Sequence, residues 1–232
     1  MNRLYLIPTP LGDCAPGDVL PRSVTSIIPE LRIFVVEELR TARRFLSSAG
    51  LKGRIDELEL HTLNEHSAPQ EISELMKLFG KGDVGLLSEA GLPAVADPGA
   101  ALVAECHRQD IEVLPLVGPS SLMLALMGSG LDGQSFAFRG YLPAKTDERR
   151  AALRNVEKQS SALRQSQIFI ETPYRNDALF ADMLGVLSPA TRICVAADLT
   201  LSGQFLKTRT VEQWKRLDLH IGKRPCVFII LA

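Results

Sequence analysis

Three stretches of the chain place glycine, proline and hydroxyl residues directly after short apolar runs: Thr9-Pro10-Leu11-Gly12-Asp13, Ser88-Glu89-Ala90-Gly91-Leu92-Pro93 and Gly118-Pro119-Ser120-Ser121. Small residues let main chain approach a ligand closely, and Ser120 and Ser121 can offer hydroxyls while opening a helix whose N–H groups point outward. That is chemistry for gripping a ligand. Any α/β protein also needs tight turns and helix caps of this composition, so each loop alone says little. A second group is acidic or amide-bearing: Glu37 and Glu38 follow one apolar run, Asn64 and Glu65 another. A carboxylate within hydrogen-bond reach of a hydroxyl can act as its general base. Glu37 and Glu38 can equally begin a helix, where acidic groups favour the positive end of the dipole.

Other chemistries lack their residues. Cys14, Cys106, Cys194 and Cys226 are scattered, with no CxxC and no paired histidine spacing, so neither a zinc site nor a disulfide framework is expected. Free thiols placed mostly in the core are the expectation. His61, His66, His107 and His220 lack ligand spacing and read as surface or capping residues. Gly128-Ser-Gly130-Leu-Asp-Gly133 fits the dinucleotide pattern, but here a helix precedes and a strand follows. It reads as a helix stop and turn.

The elements that must position these residues follow from periodicity. Strands are expected near Leu4–Thr9, Ile33–Glu37, Glu57–Thr62, Val84–Ser88 and Glu112–Pro115, with a helix over Ser67–Phe79. After the Pro/Gly segment Pro115–Ser121 come helices at Ser121–Met127, Lys145–Gln165, Tyr174–Leu187 and Val211–Leu217. Strands are expected near Phe136–Gly140, Gln167–Glu171, Arg192–Ala196, Gln204–Thr208 and Val227–Leu231. The fold class is therefore α/β in two domains, 1–117 with a mostly parallel sheet and 118–232 with a mixed one. In open α/β sheets ligands bind outside the carboxyl ends of the strands, where the three Gly/Pro loops would converge.

Composition sets outer bounds. The 232 residues are 46% hydrophobic and 23% charged, enough for a sizeable core and against intrinsic disorder. No window reaches the ~18 to 20 apolar residues that span a bilayer, and Met1–Pro10 is too short for a secretory h-region, so a cytoplasmic protein is expected. Residues 1–118 hold 11 Lys+Arg against 17 Asp+Glu, a net −6, whereas 119–232 hold 15 against 10, a net +5. In the basic half Arg150, Arg154 and Lys158 recur every four residues and could track phosphates. A basic helix face is also an ordinary solvated surface. Tyr141 could stack on a base.

Taken together the blocks resemble a known family. Leu4–Asp13 (LYLIPTPLGD), Val36–Arg40 (VEELR), Ser88–Gly99 (SEAGLPAVADPG), Leu116–Ser121 (LVGPSS), Ser129–Leu131 (SGL), Gly140–Lys145 (GYLPAK) with Arg149, and Glu171–Arg175 (ETPYR) follow the order of the tetrapyrrole methylases. They look most like the branch that methylates a ribose 2′-hydroxyl of small-subunit ribosomal RNA. Ser88–Gly99 is the most specific block, and the resemblance covers most of the chain.

The resemblance implies two α/β domains with S-adenosylmethionine (SAM) in the cleft between them, a homodimer, and ribosomal RNA or the small subunit as partner. By position it implies donor contacts from Pro10, Leu11, Ala90, Gly91, Leu92, Val95, Ser120, Ser121, Glu171, Leu199 and Pro225. No metal is implied. Methyl transfer from a sulfonium needs mainly alignment and exclusion of water. Departures from the ribose branch cluster on the acceptor side: Gly12-Asp13 for Gly-Asn, Glu37-Glu38-Leu39-Arg40 for Glu-Asp-Thr-Arg, Glu89 and Leu92 for Asp and Thr, and only part of a His/Asn/Glu stretch at His61–Glu65. Two other readings stay open. One is a methyltransferase with a small tetrapyrrole-like acceptor; the other is a non-catalytic SAM-binding interaction protein, favoured by apolar Leu39, Leu63 and Leu92.

Overall fold

The computed structural model describes residues 2–232, apart from the side chain of Pro69. Strands β1 (Arg3–Ile7), β2 (Ile33–Val36), β3 (Glu59–Thr62), β4 (Val84–Leu87) and β5 (Glu112–Pro115) form one sheet in the order β3-β2-β4-β1-β5. Every pairing within it is parallel. The helices of this part are α1 (Pro16–Val19), α2 (Arg22–Thr25), α3 (Leu39–Leu46), α4 (Pro69–Leu75) and α5 (Ala100–Arg108).

Side chains alternate across a strand, and β2 shows what that does here. Phe34 and Val36 pack with Ile7, Leu46 and Leu51 on one face, while Ile33 and Val35 pack with Leu75, Leu102 and Cys106 on the other. All four residues of β2 and of β4 are buried, as expected of a parallel sheet covered on both sides. The helix expected over Ser67–Phe79 is shorter than its apolar spacing suggests. Its α-helical part is α4, and a 3-10 segment, Met76–Gly80, carries the chain on to β4.

A second sheet contains β6 (Phe136–Tyr141), β7 (Ser166–Glu171), β8 (Arg192–Ala197), β9 (Phe205–Thr210) and β10 (Cys226–Leu231), in the order β6-β7-β10-β8-β9. Only β6 and β7 run parallel, so the sheet is mixed. Its helices are α6 (Ser121–Ser129), α7 (Thr146–Leu163), α8 (Asn176–Val186) and α9 (Val211–Trp214). Gly130, at φ +67°, follows α6 and turns the chain toward β6, which accounts for the glycine pattern at 128–133. Phe169 stacks with Phe228 at 6.0 Å, and Trp214 meets Phe180 edge-on while donating to the Ile193 carbonyl at 2.9 Å.

The chain divides into two compact units, Met1–Ser120 and Ser121–Ala232. Among the described residues no helix is long and apolar enough to cross a membrane. Cys106, Cys194 and Cys226 are buried and Cys14 is half-buried, all as free thiols. Burial pushes Cys106 and Cys226 up to about 12, which keeps them protonated and inert.

Candidate functional site

In the first unit the strand order places β4, β1 and β5 side by side, so their carboxyl-end loops are neighbours. They interlock. Thr9 N–H donates to the Gly91 carbonyl at 2.9 Å and Gly91 N–H donates back at 3.1 Å, an isolated bridge between the loops after β1 and β4. A Cβ at Gly91 would lie 3.1 Å from Leu11 Cδ2 and 3.4 Å from the Pro119 carbonyl oxygen, and φ there is +82°. Main chain without a side chain is what this crossing accommodates. The loop after β5 is as close to β1: a Cβ at Gly118 would fall 2.1 Å from that of Pro8.

The rest of the 88–99 loop is held in an unusual conformation. Ala94 and Ala96 adopt φ of +66° and +55°, a left-handed region that non-glycine residues seldom enter. Asp97 pins it, its Oδ1 accepting from Ala94 N–H at 3.0 Å and Gly99 N–H at 2.7 Å. Val95, between the two strained alanines, is left exposed. The sequence reading passes over Asp97; an Asp followed by Pro-Gly is the available signal, since such residues cap their own loop.

Glu37 and Glu38, adjacent in sequence, have different work. Glu38 caps α3, accepting from Arg40 N–H at 2.9 Å and Thr41 N–H at 2.8 Å, which holds its carboxyl below the ordinary value. Glu37 is half-buried at the end of β2. Burial, then the charges of Asp97, Glu89 and Glu65, raise its carboxyl, against a backbone hydrogen bond from Glu89. A carboxyl so raised, at the carboxyl end of a parallel sheet, suits proton transfer. Glu65 is exposed and 3.6 Å from His66 Nε2, and Asn64 Oδ1 accepts from His66 N–H at 2.9 Å. Leu63 is buried among Val35, Leu75 and Met76, so its apolar character belongs to packing.

The second unit gathers its own set at one end of the mixed sheet. Glu171 on β7 pairs with Cys226 on β10, and Cys226 with Ala197 on β8. Glu171, Leu199 and Pro225, far apart in sequence, therefore share one sheet edge. The Glu171 side chain is 0% exposed. Its Oε1 accepts from Thr172 N–H at 2.7 Å and from Arg175 Nε at 2.9 Å, while its Oε2 is buried without a partner. The loop after β8 is strained as well, with φ of +49° at Asp198 and +71° at the β-branched Thr200. Arg224 Nε on Asp198 Oδ2 at 2.6 Å and Asp198 N–H on the Pro225 carbonyl at 3.0 Å hold it. Thr200 Oγ1 is a second orphaned polar atom there. Nothing in the sequence marks Thr200, because its strain arises only from closing this loop. Ser120 ends the first unit and Ser121 begins α6.

The basic face of α7 is smaller than its spacing suggests. Arg149, 4% exposed, binds Asp182 Oδ2 through Nε at 2.8 Å, and Arg150 Nε takes Asp182 Oδ1 at 2.7 Å. Arg154 and Lys158 stay exposed, beside an open cavity of about 540 Å³ lined also by Ser161, Ser188 and Thr191.

Comparison with known proteins adds the remaining observation. No protein-family model matches the chain. It is 36% identical over 233 residues to ribosomal RNA small subunit methyltransferase I of Micromonospora olivasterospora, covering 99% of this chain and 70% of that protein. The proteins of the same name from Vibrio cholerae and Escherichia coli O157:H7 are 34% and 30% identical, with 85% and 99% of this chain and 65% and 77% of theirs covered. The chain thus spans about two thirds to three quarters of the length of these relatives. Among solved structures it is similar to diphthine synthase, at TM-score 0.67 and 17% identity over 100% of this chain and 90% of the other. It is also similar to the methyltransferase CobJ, at 0.65 and 15% over 100% and 94%. Uroporphyrin-III C-methyl transferase from Thermus thermophilus, complexed with S-adenyl homocysteine, scores 0.57 at 16% over 99% and 97%. These structures share the fold.

Proposed function

Because the chain belongs to the family of small-subunit ribosomal RNA methyltransferase I, enzymes that take their methyl group from SAM, we propose that it methylates a ribose 2′-hydroxyl in RNA of the small ribosomal subunit. The carrying observation is similarity to relatives of that name along almost the whole chain. The homodimer and the cytoplasmic location belong to the same proposal and rest on the family.

The residues present fit the donor. Glu171 Oε2 and Thr200 Oγ1 are buried polar atoms lacking partners, at an edge closed by the strained 198–200 loop, and such atoms are costly unless a ligand satisfies them. The side-chain-free crossing at Gly91 leaves main chain as the contact surface in the first unit. The proposed contacts are Pro10, Leu11, Ala90, Gly91, Leu92, Val95 and Ser120 from the first unit, and Ser121, Glu171, Leu199 and Pro225 from the second.

Bound SAM supplies an electrophilic methyl carbon on a positively charged sulfur. What the chain must add is alignment of the acceptor and removal of its proton. Glu37 fills the second role. Its raised carboxyl makes it a better base once ionised, and Glu65, Glu89 and Asp97 keep the surroundings negative. Glu38 serves by fixing the start of α3, and Asn64 by shaping the 64–67 turn through Ser67.

Incubation of the protein with methyl-labelled SAM and small ribosomal subunits, beside a panel of tetrapyrroles, tests the reading. Label in the RNA is expected. Label only in a small molecule, or donor binding with no transfer, contradicts it.

A further inference from the structure

The same end of the mixed sheet carries a feature that donor binding does not use. Two tyrosines stand out from it: Tyr174 is 79% exposed and Tyr141 is 58% exposed. Single exposed aromatics are ordinary, but this pair is held by specific backbone devices. Gly140, at φ +66°, sits within a break in the β6–β7 register between Phe138 and Tyr141. Bulges of this kind re-aim a side chain. Tyr141 then pairs with Ile170, one residue before Glu171. Tyr174 lies in the 3-10 turn Pro173–Arg175, closed by Arg175 N–H on the Thr172 carbonyl at 2.9 Å and tied to β7 by the Arg175–Glu171 ion pair at 2.5 Å. The turn cannot move without disturbing the buried carboxylate.

A cation completes the arrangement. Lys223 Nζ lies 4.8 Å from the centroid of the Tyr174 ring, and among the described residues it makes no ion pair. The unit that carries it holds an excess of five positive charges, 15 Lys+Arg against 10 Asp+Glu over 121–232. Exposed rings with an uncommitted ammonium beside them match unstacked nucleotides, whose bases offer π-faces and whose phosphates are anionic.

We propose that Tyr141 and Tyr174 are the platforms on which bases of the RNA acceptor stack, with Lys223 contacting an adjoining phosphate. This rests on the RNA reading above and names the surface that positions the acceptor beside Glu171.

The experiment measures binding of small-subunit RNA to the full chain by fluorescence anisotropy, for wild type, Tyr141→Ala, Tyr174→Ala, Tyr174→Phe and Lys223→Gln, with SAM affinity by calorimetry in parallel. Each alanine variant is expected to weaken RNA binding about 5- to 150-fold, the factor that ~1–3 kcal/mol of stacking per base represents. Tyr174→Phe keeps the ring and stays near wild type, Lys223→Gln lowers the salt slope by ~0.7, the value for one single-strand phosphate, and SAM affinity is unchanged throughout. Alanine variants that bind RNA like wild type overturn the proposal while leaving the RNA reading intact. Loss of SAM affinity in them also overturns it, since the rings would then belong to the donor site. A wild type that neither binds nor methylates RNA removes both.

Discussion

Glu37 and Glu38 show how one backbone step separates two carboxylates. Glu38 spends both oxygens on the amide groups that open α3; Glu37 is half-buried, with Asp97, Glu89 and Glu65 as like-charged neighbours. Two consequences can be measured. Glu37→Gln should lower the transfer rate by about 10²- to 10⁴-fold with SAM affinity retained, as loss of a general base does. The rate of wild type should fall as pH drops through the raised Glu37 carboxyl. Asp97→Asn removes the largest repulsive charge and keeps the Oδ1 acceptor for Ala94 and Gly99, so the acid limb should move to lower pH. An unmoved limb would assign that titration to another group. Gly91 makes a complementary case. With φ +82° and Leu11 within 3.1 Å of any Cβ, Gly91→Ala should cost ~1–2 kcal/mol of backbone strain, and Gly91→Arg should abolish donor binding in calorimetry.

At the scale of elements, Arg149 and Asp182 join α7 to α8. Burial alone would raise the Asp182 carboxyl, yet Arg150 and Arg149 hold it below its ordinary value. A depressed carboxyl stabilises the fold above its unfolded value and loses that contribution as pH falls through the folded one, so the effect belongs to acid conditions. Asp182→Ala leaves Arg149 buried and unpaired and should cost about 3–5 kcal/mol in urea unfolding at neutral pH. Elements were also where the sequence was most readable. Among the described residues the ten strands lie within two residues of their expected bounds; the buried ones, such as β2, β4 and β10, are continuous apolar runs rich in Val, Ile and Leu, whereas β3, β6 and β9 are partly exposed and mixed in composition. The one-turn helices α1 and α2 have no period to detect, and α3, with three arginines in eight residues, hides its apolar stripe. The first-unit loops were legible because Gly and Pro mark them. Glu171, Leu199 and Pro225 came from resemblance alone: only the pairing of β7, β10 and β8 brings them to one edge. The pairing of Arg150 was not legible for a related reason, as its partner Asp182 lies 32 residues away.

At the scale of the whole molecule, an acidic unit with a parallel sheet and a basic unit with a mixed sheet each present a prepared edge. The first supplies side-chain-free main chain and a raised carboxyl, the second orphaned polar atoms and exposed tyrosines. The proposed donor site, the proposed base for a hydroxyl and the proposed surface for unstacked nucleotides rest on those features in turn. The most direct test is the chemical identity of the product. Small-subunit RNA treated with the protein and methyl-labelled SAM is digested with alkali, which cleaves after a free 2′-hydroxyl and leaves a 2′-O-methylated linkage intact. The account predicts label in alkali-resistant dinucleotides, absent with Glu37→Gln. Label released as mononucleotides methylated on the base would contradict it.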